Sequence, residues 1–66
     1  MKINLNGEIK CIDHKSSVTQ VIKDLNFPND GLVTLLNENI ISQVERNNTI
    51  LNENDSLEII SFVSGG

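Results

Sequence analysis

Cys11 and His14 are the two side chains in this sequence with the chemistry of a nucleophile and its base. Such a pair works only when the thiol is exposed and the two groups touch. Cys11 alternates with Lys10 and stands in phase with Ile9, which predicts a small buried hydrophobe on the core side of a strand. His14 falls in the polar run Asp13-His14-Lys15-Ser16, a solvated loop. A metal site needs three or four ligands; one His and one Cys do not supply them, so no metal is expected. The nine Asp and Glu residues are scattered, and none is paired in the apolar setting that raises a carboxyl pKa for general-acid work. They read as an acidic surface that can speed docking on a basic partner.

The end of the chain carries more chemistry than any side chain. Leu57 and Ile59 share one face of a strand, while Glu58, Ile60 and Phe62 share the other. An unpaired buried carboxylate is costly, so Glu58 marks the solvent side. Ile60 and Phe62 are then exposed apolar residues, and with Val63 they form a partner-binding patch next to the terminus. Ser64-Gly65-Gly66 follows. A Gly-Gly end has no Cβ to obstruct a narrow channel, so Ser64 and Gly65 can thread one and present the Gly66 carboxylate. A carboxylate is a poor electrophile at neutral pH. If an ATP-using partner converts it to an acyl-adenylate, a sulfur nucleophile can displace AMP and leave a C-terminal thiocarboxylate. The site is then Gly66 itself; the chain has no catalytic residue and binds no cofactor, and ATP belongs to the activating partner.

The elements that must position this end are short. Lys2 to Ile12 reads as a hairpin: Ile3 and Leu5 alternate with Asn4 and Asn6, Asn6-Gly7 suits a two-residue turn, and Glu8 to Ile12 alternates again. Ser17 to Asn26 reads as a helix, with Val18, Val21, Ile22 and Leu25 on one stripe. Ser17 is its N-cap, Gln20 completes a capping box, and Asn26 ends it in a left-handed conformation ahead of Pro28. Leu32 to Leu36 is a nearly all-apolar strand, expected at the centre of the sheet. After the Asn37-Glu38-Asn39 turn, Ile40-Ile41 is a short strand. Val44, Ile50 and Leu51 are expected to cap the core. Asn52 to Asp55 is a turn, and Leu57 to Val63 is the last strand. The order β-β-α-β-β-β predicts an α+β fold of the β-grasp, ubiquitin-like type. It has a mixed sheet of four to five strands with one helix across one face, and its first and last strands are parallel neighbours. Residues 1–63 form the domain and 64–66 a flexible tail, expected to be mobile until a partner orders it.

Composition narrows the classes. Sixty-six residues of 7.3 kDa allow one domain. A net charge of -4 argues against nucleic-acid binding and a polybasic membrane anchor. One cysteine allows no intrachain disulfide, which suits a reducing cytoplasm. There is too little chain for an enclosed active site, so a monomeric carrier or binding module is expected rather than an enzyme.

Across its whole length the sequence resembles the thiamine-biosynthesis sulfur carrier proteins. The shared residues are Met1-Lys2-Ile3-x-Leu5-Asn6-Gly7, Ser17-Val18, Leu36-Asn37-x-x-Ile40-Ile41, Asp55-x-Leu57-Glu58-Ile59-Ile60 and Val63-Ser64-Gly65-Gly66. The resemblance implies that an E1-like adenylyltransferase activates Gly66 with ATP. Sulfur relayed from a cysteine desulfurase then makes the thiocarboxylate, and thiazole synthase receives it. Asn54-Asp55 stands where that family often has Gly-Asp, and Ser64 where it often has Ala. Two other classes share the tail. The small subunit of molybdopterin synthase is usually longer, with a Pro before the tail that Phe62-Val63-Ser64 lacks. Ubiquitin-like modifiers form isopeptide bonds to lysines. A third alternative is a plain adaptor with an inert tail.

Overall fold

The computed structural model describes residues 1–28 and 30–62. Its strands are β1 (Lys2–Leu5), β2 (Glu8–Cys11), β3 (Leu32–Leu36), β4 (Asn39–Ile41) and β5 (Ser56–Ser61). Its one α-helix is α1 (Val18–Asp24), and a single 3-10 turn, η1, spans Glu45–Asn47. The five strands form one mixed sheet in the order β2-β1-β5-β3-β4. β1 and β5 are parallel and the other pairs antiparallel, as the predicted crossover requires. β5 is the central strand, and β3 is interior beside it. A nearly all-apolar strand signals an interior position with a neighbour on each side, which β3 has, but does not say which interior strand lies in the middle.

Local chemistry sets the element ends. Asn6 and Gly7 take φ values of 50° and 85°, the conformation of a tight hairpin turn. Ser17 Oγ accepts from the Gln20 N–H at 3.1 Å. The reciprocal half of the predicted capping box is not made: Gln20 Nε2 donates forward to Asp24 Oδ1. At the other end Asn26 is left-handed (φ 59°). Asn26 N–H donates to Lys23 C=O and Phe27 N–H to Ile22 C=O, a Schellman motif with an apolar residue just outside the helix. The predicted turn residue Asn29 lies outside the described residues.

Ile3, Leu5, Val18, Val21, Ile22, Leu32, Leu51, Leu57 and Ile59 form the core between the sheet and α1. Leu51 is held there by hydrogen bonds flanking the helix start: Val18 N–H to Thr49 C=O, and Leu51 N–H to Ser16 C=O. Val44 and Ile50 do not cap the core; Val44 is 82% exposed, and Ile50 is exposed as well. Leu25, predicted on the buried stripe, sits past the last helical turn and is exposed. Arg46 fills part of the space instead, at 7% exposure. Its Nη2 donates to Leu32 C=O at 2.8 Å and its Nε to Thr34 Oγ1 at 3.3 Å. A buried guanidinium is tolerated because these acceptors satisfy it and its stem packs as hydrocarbon. No sequence pattern distinguishes this Arg from a surface one.

Candidate functional site

The sheet face away from α1 is set by register. Ile60 on β5 lies opposite Val33 on β3, Glu58 opposite Leu35, and Leu35 opposite Ile40 on β4. Directly opposed residues share a face, so Val33, Leu35, Ile40 and Ile60 form one apolar surface with Glu58 at its border. Ile60 is 42% exposed, Ile40 73%, and Phe62, two residues beyond Ile60, 71%. The Phe62 N–H donates to Gly31 C=O at 2.7 Å, tying the end of β5 to the entry of β3. The structure thus exposes Ile60 and Phe62 as predicted, and adds Val33, Leu35 and Ile40, which sequence reasoning missed. Only the strand register brings them together. Val63, Ser64, Gly65 and Gly66, the rest of the predicted site, lie outside the described residues.

Cys11 is exposed, contrary to the buried position expected. In the β1–β2 register Cys11 opposes Lys2, and Ile9 opposes Asn4. Lys2 and Asn4 alternate with the buried Ile3 and Leu5, so Ile9 and Cys11 are on the outer face. Lys10, opposite Ile3, points to the helix side, yet at the sheet edge it stays in water. Charges turned inward on an edge strand discourage pairing with a further strand. His14 is exposed in its loop, as predicted. Among the described residues no three His, Cys, Asp or Glu are grouped to hold a metal ion.

The start of β5 is anchored by the Asn37 and Asp55 turns. Asn37 Oδ1 accepts from Ser56 N–H at 2.9 Å, and its Nδ2 donates to Asp55 Oδ1 at 3.1 Å. Asp55 Oδ2 accepts from Asn52 N–H at 2.7 Å. These polar residues belong to the frame of β5 rather than to a ligand site. Two shallow clefts lie elsewhere: one of about 230 Å³ lined by Lys2, Ile3, Asn4, Ile9 and Asn54, and one of about 330 Å³ lined by Thr19, Ile22, Gln43, Arg46 and Asn47. Neither includes a residue from the end of β5.

A five-stranded mixed sheet with one helix on one face and parallel outer-sequence strands defines the class: a ubiquitin-like β-grasp protein. The ThiS family model matches residues 3–66, and the chain belongs to that family, the thiamine-biosynthesis sulfur carriers it resembles. The crystal structure of the thiamine biosynthesis protein ThiS from Geobacter metallireducens has a TM-score of 0.84 at 22% identity, with 100% of both chains covered. A solution structure of a thiamine biosynthesis protein from the same organism has a TM-score of 0.83 at 22% identity, covering 100% of this chain and 88% of that one. At this identity the likeness establishes the fold. No curated protein sequence matches significantly. Among the described residues no helix is long and apolar enough to cross a membrane.

Proposed function

We propose that this chain is a sulfur carrier whose working group is the Gly66 carboxylate. An E1-like adenylyltransferase transfers AMP from ATP to that carboxylate and releases pyrophosphate. A persulfide made by a cysteine desulfurase attacks the acyl-adenylate and expels AMP. A thiol then reduces the S–S bond of the acyl disulfide to leave the thiocarboxylate, and the thiocarboxylate gives its sulfur to thiazole synthase. The catalytic groups and the ATP site belong to these partners. The observation that carries the reading is the ThiS family match, which runs through Ser64-Gly65-Gly66. The apolar face of Val33, Leu35, Ile40, Ile60 and Phe62 supports it: a carrier needs a docking surface beside the end of β5, and this one is exposed at Ile40, Ile60 and Phe62 and half-buried at Val33 and Leu35.

Intact mass spectrometry of the protein after incubation with the adenylating enzyme, ATP and a sulfur donor tests the reading. The expected product gains the mass of replacing one oxygen by sulfur, and removing Gly66 abolishes the gain. Loading of a chain lacking Gly66 would overturn the assignment. Isopeptide conjugates to lysines would instead identify a protein modifier.

A further inference from the structure

β1 ends at Leu5 because Asn6-Gly7 turns the chain away. Up to that point β1 and β5 form a regular parallel ladder, with Asn4 N–H donating to Asp55 C=O at 2.9 Å and Asn6 N–H to Leu57 C=O at 3.0 Å. The next rung would need a β1 carbonyl on Ile59 N–H and a β1 amide on Ile59 C=O. The turn has carried both away. The Asn6 side chain replaces them: Oδ1 accepts from Ile59 N–H at 2.8 Å, and Nδ2 donates to Ile59 C=O at 3.2 Å. A carboxamide carries the donor and acceptor of a peptide group, so it can stand in for one. Ile59 is buried, and without Asn6 its two backbone groups would lose these partners away from water.

We propose that Asn6 is a positioning residue for sulfur loading: its carboxamide acts as the last peptide unit of β1 and aligns Ile59 to Phe62, the segment that presents the docking face and leads to Gly66. The proposal rests on the reading of Gly66 as the loaded group. Past Ile59, β5 is tied on the β3 side, by Ser61 opposite Leu32 and by the Phe62 bond to Gly31. Among the described residues the Asn6 clamp is therefore the last anchor of β5 on the β1 side. Alanine loses both bonds and, at a φ of 50°, also disfavours the turn that asparagine tolerates. Aspartate keeps the acceptor for Ile59 N–H and loses the donor to Ile59 C=O.

The test compares Asn6→Ala and Asn6→Asp with the wild type and with Ile22→Val, a core change on α1 that lowers the melting temperature and leaves the Asn6 bonds to Ile59 in place. NMR order parameters for Ile59 to Phe62 and the kinetics of adenylation are read for each. Asn6→Ala is expected to lose order selectively in this segment and to raise KM on the order of tenfold, as expected for a misaligned docking face, with kcat little changed. Asn6→Asp falls between, and it carries the test should the alanine variant not fold. Ile22→Val keeps the wild-type KM. An unchanged KM in both Asn6 variants, or an equal rise in Ile22→Val, overturns the positioning role while Gly66 loading stands. A wild-type chain that is not adenylated at all overturns the functional reading and the proposal with it.

Discussion

Phe62 is an aromatic ring that gains little from the fold around it. It stands in water two residues beyond Ile60, as the docking surface proposed for the carrier requires. Phe62→Asp should weaken adenylation by the partner enzyme, raising KM at least tenfold for loss of a central apolar anchor. Surface substitutions usually change stability by within about 0.5 kcal/mol, so its thermal melt should stay close to wild type. Unfolding of this variant would instead make Phe62 part of the core. Cys11 gives the opposite expectation from the one its alternation suggests. As an exposed thiol on an edge strand, its change to Ser should alter stability by less than about 0.5 kcal/mol and leave sulfur transfer intact. Loss of transfer in folded Cys11→Ser, measured by intact mass, would give the thiol a chemical role.

At the scale of elements, the region after β4 shows how a short turn is held without a long helix. Ser42 and Glu45 form a reciprocal box: Glu45 N–H donates to Ser42 Oγ at 3.3 Å, and Ser42 N–H donates to Glu45 Oε1 at 3.1 Å. The Ser42 hydroxyl first and the Ser42 N–H second act on the Glu45 carboxylate, favour its ionised form and lower the Glu45 pKa from its ordinary value. A depressed folded-state pKa stabilises the fold at pH above the unfolded value, and the contribution disappears as pH falls through the folded value. The Glu45 carboxyl should therefore titrate at lower pH than a free glutamate when followed by carbon-13 NMR. Ser42→Ala should move the midpoint upward, and an unmoved midpoint would mean that the box does not form in solution.

At the scale of the whole molecule, one small core carries both layers. A single core of this size supplies roughly 3–5 kcal/mol. Leu57 lies at its centre, fully buried on the middle strand, and a Leu→Ala truncation in such a place costs about 2–5 kcal/mol. Leu57→Ala should leave the chain largely unfolded at room temperature by circular dichroism and urea titration. A cooperative melt close to wild type would show that stability is distributed differently. The same arithmetic explains why polar clamps matter here. With so small a core, the bonds of Asn6 to Ile59 and of Asn37 to Ser56 add to the backbone ladders that hold the central strand in register.

Where polar and apolar residues met unambiguous local rules, the sequence by itself determined the outcome. Asn6-Gly7, Ser17 and Asn26 set the turn and the helix ends through φ preference and capping, which need no distant partner. Glu58 determined the face of Ile60, because β5 has one covered and one open side and a carboxylate cannot occupy the covered one. The same logic fails on β2. Glu8 and Lys10 alternate with Ile9 and Cys11 just as cleanly, yet Ile9 and Cys11 face outward. Alternation defines which residues share a face but not which face is buried, and at a sheet edge that one helix does not cover, neither face is. The burial of Arg46, the assembly of Val33, Leu35 and Ile40 with Ile60, and the pairing of Asn6 with Ile59 were decided only by tertiary structure. Arg46 meets Leu32 and Thr34, Ile60 meets Val33, and Asn6 meets Ile59 across long separations in sequence, and such contacts are fixed when the core closes rather than by a local stretch of chain.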